Sequence, residues 1–163
     1  MKKRVYIETT IVSYLTAKPS RDLIIAAHQE VTRSWWVSRR RAFDLFVSRL
    51  VLDEAGGGDA DAAAKRLAML AGLPELPTTP AAVRLASALV RAGLLPAQAG
   101  ADAIHLAVAT VHGVDVLLTW NCRHLANGSI LGEIGRFARR MRYELPTVCT
   151  PDELMGETGA VGE

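Results

Sequence analysis

Short apolar segments that end abruptly in polar residues constrain the fold of this chain more than any other feature of its sequence. Residues 5–7 (VYI) lead directly into Glu8, and residues 116–118 (VLL) lead into residues 119–121 (TWN). Such short β-branched and aliphatic segments are typical of buried strands. Because predicted helices separate them, the sequence indicates an α/β fold in which short parallel strands form a central sheet covered on both faces.

The other predicted elements continue this alternation. We expect further strands at residues 42–47, 75–76 and 148–149, and helices at residues 11–15, 21–34, 49–55, 59–71, 80–91, 102–112 and 128–140, before a final turn at 151–154.

The helix predicted at residues 21–34 is expected to begin at a Ser20 cap. An expected half-buried face of this helix consists of residues that recur at helical spacing: Ile24, Ala27, His28 and Val31. Residues 35–36 (WW) and 39–41 (RRR) are expected to separate it from the second strand. The tryptophans are predicted to close the core or a dimer face rather than to stack on nucleic-acid bases.

Length and composition favour one domain, with residues 1–155 folded and residues 156–163 forming a disordered tail. Half of the 163 residues are hydrophobic and 22% are charged, which is ordinary for a globular protein. The formal charge of +2 permits a nucleic-acid partner without requiring one. The two cysteines fit no metal-ligand spacing, and no apolar run reaches the ~18 residues of a membrane span. We therefore expect a cytoplasmic protein with reduced thiols.

Polar residues at the predicted strand ends and helix starts point to a common site. Glu8 and Asn121 follow strands, Glu54 lies on the helix after the second strand, and Asp102 opens a helix. In an open α/β sheet, ligands bind outside the carboxyl ends of the strands. Clustered carboxylates repel one another unless a cation neutralises them, and oxygen ligands suit Mg²⁺ or Mn²⁺. Such a site is suited to hydrolysis of a phosphodiester by a metal-activated water.

Four segments of the chain resemble the motifs of PIN-domain ribonucleases in the same order. They are Tyr6-Ile7-Glu8-Thr9-Thr10-Ile11, Val47-Ser48 with the residues up to Glu54, Ala101-Asp102-Ala103-Ile104, and Leu117-Leu118-Thr119-Trp120-Asn121. The resemblance covers residues 5–150. It implies a three-layer α/β/α PIN-like (Rossmann-like) fold with a short central parallel sheet, and Mg²⁺- or Mn²⁺-dependent cleavage of RNA. Many small members are VapC-like toxins of type II toxin-antitoxin pairs, so it also implies a cognate antitoxin and a homodimer.

The resemblance assigns roles to individual positions. Glu8, Glu54 and Asp102 would be the metal ligands, and Asn121 the fourth catalytic position. Supporting residues that would orient the acids are Thr10 and Thr119. The chain resembles a branch of the family that has Glu in place of the first Asp, and it has Asn in place of the fourth acid. Fewer charges should weaken metal binding, which leaves the alternative of a catalytically weak or inactive module that binds RNA or a protein.

Several nearby residues compete with these assignments. Asp53 is the rival of Glu54, about 100° around the same helix. His105 is expected to be a satisfied core histidine, and His124 lies close to Asn121. Candidate contacts to RNA phosphates are the basic residues Arg39, Arg40, Arg41 and Arg136, although a solvated surface is their default role.

Overall fold

A parallel sheet of five short strands organises the computed structural model, which describes residues 1–155. The strands are β1 (Lys3–Ile7), β2 (Phe43–Ser48), β3 (Glu75–Leu76), β4 (Val116–Leu118) and β5 (Thr147–Cys149), in the spatial order β3-β2-β1-β4-β5. The chain first builds the sheet outward from β1 through β2 to β3, and then crosses to the opposite side of β1. The sheet order therefore reverses between β1 and β4, and this switch point opens a crevice at the carboxyl ends of the strands. The tail predicted at 156–163 lies outside the described residues.

Helices cover the sheet and complete the predicted three-layer α/β/α fold. They are α1 (Thr9–Thr16), α2 (Leu23–Ser38), α3 (Arg49–Ala55), α4 (Ala60–Leu70), α5 (Pro80–Arg91), α6 (Gly100–Val111), α7 (Gly128–Arg140) and α8 (Pro151–Met155). The first four pack among themselves and with α8, whereas α5 packs on α6 and α7. No helix within residues 1–155 is both long enough and apolar enough to cross a membrane.

The central position of β1 explains its composition. Val5, Tyr6 and Ile7 are completely buried, because β2 pairs with one edge of β1, β4 pairs with the other, and helices cover both faces. The register places Val5 opposite Leu45 on one side and Val116 on the other. A residue that directly follows β1 is therefore held at the middle of the crevice.

Two helix starts differ from the predictions for a local reason. The side chain of Glu8 caps α1 by accepting from the Thr10 backbone N–H, so this helix begins at Thr9 and not at residue 11. Asp22 replaces Ser20 as the cap of α2, since its carboxylate accepts from two backbone N–H groups of the first turn. The helix then continues to Ser38, so the two tryptophans lie inside it and not after it.

The face predicted to be half-buried on α2 is largely exposed at its start. Ile24 is 69% exposed, whereas Gln29 and Thr32 are buried. Gln29 tolerates burial because its amide group both accepts from the Ser20 backbone N–H and donates to the Lys18 carbonyl. Trp35 and Trp36 are buried, which agrees with the predicted role in closing the core.

Candidate metal centre

Glu8 is a buried carboxylate fixed at the switch point of the sheet. It directly follows β1, its backbone N–H donates to the Leu118 carbonyl of β4, and the residue is only 4% exposed. Its Oε2 accepts from Thr119 Oγ1 at 2.7 Å, from the Thr10 backbone N–H at 3.1 Å and from the Thr10 hydroxyl. These donors replace the water that a buried carboxylate loses. Thr10 and Thr119 therefore orient Glu8.

Both threonines also tie the following loop to this acid. The Trp120 backbone N–H donates to Thr10 Oγ1 at 2.9 Å, and the Asn121 backbone N–H donates to Thr119 Oγ1 at 2.9 Å. Each hydroxyl thus accepts one bond from the loop and donates its proton to Glu8. The loop after β4 is consequently positioned by the same groups that hold the carboxylate.

A buried chain of hydrogen bonds ends on Glu54. Ser48 Oγ lies 2.7 Å from the Tyr6 hydroxyl, which lies 2.7 Å from His105 Nδ1, and His105 Nε2 lies 2.7 Å from Glu54 Oε1. Thr9 Oγ1 donates to the same Oε1 at 2.6 Å. His105 is 1% exposed, so both ring nitrogens are satisfied inside the protein. It is the satisfied histidine that the sequence predicted, and it contacts the site.

The protonation of His105 follows from its partners. An ionised carboxylate can only accept, so His105 Nε2 must carry a proton to bond with Glu54. Burial opposes ionisation of Glu54, but the hydrogen bonds from His105 and Thr9 together outweigh it and lower the pKa of Glu54. Burial raises the pKa of Tyr6, so its hydroxyl stays protonated and can take part in the hydrogen bonds with Ser48 and His105.

Asp102 lies in the first turn of α6 and is bonded through both carboxylate oxygens. Asn121 Nδ2 donates to Oδ1 at 2.9 Å, and His124 Nδ1 lies 2.9 Å from Oδ2. The amide oxygen of Asn121 accepts from the His124 backbone N–H at 3.0 Å. Asn121 and His124 thus hold Asp102 against the loop. Each carboxylate oxygen keeps a second lone pair that a cation or water can use.

The donor set suits a divalent cation. Glu8, Glu54 and His105 each offer a ligand atom, and these atoms all lie within 4.8 Å of one another. Since the His105 Nε2 lone pair is occupied by its proton, the oxygens of Glu8 and Glu54 are the available ligands in this arrangement. Oxygen ligands favour Mg²⁺ or Mn²⁺ over metals that prefer imidazole. His105 then acts as the partner that orients a ligating carboxylate.

Other predicted residues lie outside this cluster. Asp53 is exposed and forms no side-chain bond within the described residues, in contrast to Glu54. Residues 39–41 immediately precede β2, and therefore lie at the amino edge of the sheet, roughly 17 Å from Glu8 along the strand direction. Arg136 is exposed two helical turns into α7, which begins just beyond the site loop.

Sequence reasoning missed the hydrogen-bond network that holds Glu54, although it predicted the two threonines that orient Glu8. Tyr6, Ser48 and Thr9 appeared only within the motif segments, without a role at the site, although they reach Glu54 directly or through His105. One signal was present in the sequence. His105 follows Asp102 by three residues on a helix, so both side chains point to the same side.

The fold is similar to that of VapC toxins. VapC20 from Mycobacterium tuberculosis, a Sarcin-Ricin loop cleaving toxin, superposes with a TM-score of 0.58 at 19% identity, over 76% of this chain and 95% of that one. VapBC2 from Rickettsia felis, solved bound to a DNA fragment from its promoter, gives 0.57 at 13% identity, over 90% and 98%. No protein-family model and no curated protein sequence matches the chain. The chain has a VapC-like PIN fold.

Proposed function

We propose that this chain is a Mg²⁺- or Mn²⁺-dependent endoribonuclease of the PIN class that hydrolyses RNA phosphodiester bonds. One observation carries the proposal: in a VapC-like fold, the buried carboxylate of Glu8 lies within reach of Glu54 at the switch point of the sheet. Asp102 adds a third carboxylate. It is linked to Glu8 through the loop after β4, because Asn121 bonds to both Asp102 and Thr119, and Thr119 bonds to Glu8. A crevice with acids at the carboxyl ends of parallel strands is the expected location of a ligand.

The proposed roles of the residues follow from their contacts. Glu8, Glu54 and Asp102 would hold the cation, and Asn121 would bind through its amide oxygen or position Asp102. When bound, the cation supplies water activation and stabilises negative charge on the phosphoryl oxygens. Thr10 and Thr119 keep Glu8 in place, and His105 keeps Glu54 in place, so the carboxylates need little reorganisation when the substrate arrives.

The fold also suggests a biological setting. Because one neighbour is a toxin that cleaves the Sarcin-Ricin loop and the other is VapBC2, we propose that this chain is the toxin of a type II pair with a cognate antitoxin. RNA would be its substrate, with Arg136 as a phosphate contact, and the protein would form a homodimer. Residues 39–41 would contact only RNA that extends around the sheet to its amino edge.

A second candidate function has its own supporting observation. Asn121 supplies an amide where a fourth carboxylate would add charge, and it donates to Asp102 instead of repelling it. A cation is therefore less necessary for holding this part of the site together. The corresponding function is a PIN-like module that binds RNA or a protein partner with weak or no cleavage.

Cleavage of a labelled single-stranded RNA by the purified chain tests the proposal. We expect cleavage with Mn²⁺, none with excess chelator, and a loss of activity in Asp102→Ala. Asp61→Ala is the matched control, because Asp61 is also an acid in the first turn of a helix but is exposed on α4. Cleavage that survives chelation or Asp102→Ala would contradict the proposal. RNA binding without cleavage at any Mn²⁺ concentration would favour the second candidate.

A further inference from the structure

Three aromatic rings form a half-buried cluster beside the proposed metal centre. His28 stacks on Trp120 with ring centroids 4.0 Å apart and an interplanar angle of 13°. Tyr14 lies 6.2 Å from each of them in a tilted orientation. The three side chains come from α2, the loop after β4, and α1. We name them the aromatic cluster.

The aromatic cluster adjoins the carboxylates through the backbone. Trp120 lies between Thr119, which bonds to Glu8, and Asn121, which bonds to Asp102. Tyr14 follows Thr10 by one helical turn on the same face of α1. The Trp120 backbone N–H also donates to the Thr10 hydroxyl, which itself bonds to Glu8. The rings are therefore carried by residues that lie next to, or one helical turn from, the groups that hold Glu8.

The indole of Trp120 is held in place before any ligand arrives. Its Nε1–H donates to Thr32 Oγ1 at 2.7 Å, and Thr32 in turn donates to the His28 carbonyl at 2.6 Å. The Thr32 hydroxyl thus fixes the indole of Trp120 against α2, the helix that carries His28. A ligand that joins this stack meets rings whose conformational freedom has already been lost, and that lowers the entropic cost of binding.

Exposure distinguishes this cluster from a structural plug. Trp35 is fully buried and Trp36 is 5% exposed, which removes them as stacking surfaces. All three rings of the aromatic cluster are only half-buried, so the cluster reaches solvent next to the site. Ile24, one turn before His28 on α2, is 69% exposed and extends the apolar surface.

We propose that the aromatic cluster is a stacking site for a base of single-stranded RNA next to the bond to be cleaved. The proposal rests on the proposed function for its substrate class, because the same surface beside a different centre would have another ligand. Aromatic rings bind unpaired bases by stacking, and stacking tolerates different bases because every base has a flat face. A paired base cannot reach the rings, so the cluster selects single-stranded over double-stranded RNA.

Binding measured in excess chelator tests this proposal separately from cleavage. The probes are fluorescein-labelled decauridine, an abasic ribose-phosphate oligomer of the same length, and a ten-base-pair RNA duplex, each titrated by anisotropy. We expect the wild type to prefer decauridine over the abasic oligomer. Trp120→Leu and His28→Leu each remove a stacking partner, so each should weaken the affinity for decauridine by about tenfold. The affinity for the abasic oligomer should not change. Tryptophan emission should be quenched by decauridine in the wild type and not in Trp120→Leu.

Two further variants keep the test independent of folding. Trp120→Phe retains a ring but loses the bond to Thr32, so it should keep most of the preference for decauridine. Val37→Ala removes an exposed apolar side chain at the other end of α2 and should change nothing. The proposal is overturned if both leucine variants bind decauridine as the wild type does, or if the wild type shows no preference for decauridine over the abasic oligomer and over the duplex. If the protein binds decauridine in this way but never cleaves RNA, the proposed ribonuclease function is contradicted and the stacking site is not.

Discussion

His105 donates its Nε2 proton to Glu54 Oε1 over 2.7 Å, so the most buried histidine of the site holds its most exposed proposed ligand. The other ring nitrogen is occupied by Tyr6 at the same distance. This arrangement resembles the general pattern in which a second residue fixes the orientation of a metal-binding group. It differs in that the carboxylate is the ligand and the imidazole is its support.

Tyr6→Phe tests that support. The change leaves Ser48 Oγ and His105 Nδ1 without their common partner, and we expect unfolding to become easier by about 1–3 kcal/mol. Manganese affinity, measured by titration calorimetry, should fall because the ring that fixes Glu54 becomes free to turn. Tyr14→Phe is the matched control, since the Tyr14 hydroxyl makes no hydrogen bond among the described residues. Equal stability losses in the two variants would argue against the hydrogen bonds from Tyr6 to His105 and Ser48 as a support of Glu54.

Thr119→Val removes a donor to Glu8 while keeping the shape of the side chain. We expect a loss of about 1–3 kcal/mol in denaturant unfolding, because the hydrogen bond goes to a buried carboxylate, together with a fall in cleavage rate. Thr110→Val provides the comparison. Thr110 is also a buried threonine, but within residues 1–155 its hydroxyl bonds only to the Leu106 carbonyl of its own helix. Its loss should affect stability and leave cleavage per folded molecule unchanged.

The predictable part of this site was the position of each acid along its element. Glu8 after β1 and Asp102 at the start of α6 follow from strand and helix signals that lie within a few residues of each. The contacts between elements were not predictable in the same way. The bond from His105 to Glu54 joins residues 51 positions apart, and it exists only because the folded sheet brings α3 and α6 to the same crevice.

The start of α2 shows a similar limit. Helical spacing correctly indicated a helix, but it assigned the wrong face to the core near Ile24. The buried positions there belong to Gln29 and Thr32, whose side chains are satisfied by bonds that only the folded chain provides. Trp120 was likewise visible in the sequence as part of a motif, whereas its stacking on His28 required the placement of α2 against the loop.

The stability of the metal-free protein should depend on pH through Glu54. Its pKa is lowered in the folded state, so its ionised form stabilises the fold above the usual value of 4.5, and this contribution is lost as the pH falls through the folded-state pKa. Unfolding in chelator should show Glu54→Gln less stable than the wild type at pH 7. The difference should narrow below about pH 4.5. A difference that grows on acidification would contradict the proposed ionisation of Glu54.

Asn121→Asp should lower the stability of the metal-free protein and raise its affinity for Mn²⁺. A carboxylate would face Asp102 where the amide now donates, so the metal-free protein should unfold more easily. With Mn²⁺ present the added charge should strengthen binding and increase cleavage. Asn127→Asp adds the same charge at the cap of α7 and is the control for net charge. If the two variants bind Mn²⁺ with equal affinity, the negative charge added at position 121 does not act on the metal site.

Cleavage of single-stranded RNA by Glu54→Gln and Asp53→Asn, compared with the wild type in Mn²⁺, tests whether Glu54 belongs to the catalytic site. The two acids are neighbours on α3, but only Glu54 bonds to His105 and lies within the cluster at Glu8. We expect the cleavage rate of Glu54→Gln to fall by about a hundredfold or more, because several kcal/mol of charge stabilisation disappear, and Asp53→Asn to keep wild-type activity. Equal activity in both variants, or a larger loss in Asp53→Asn, would contradict a catalytic role of Glu54.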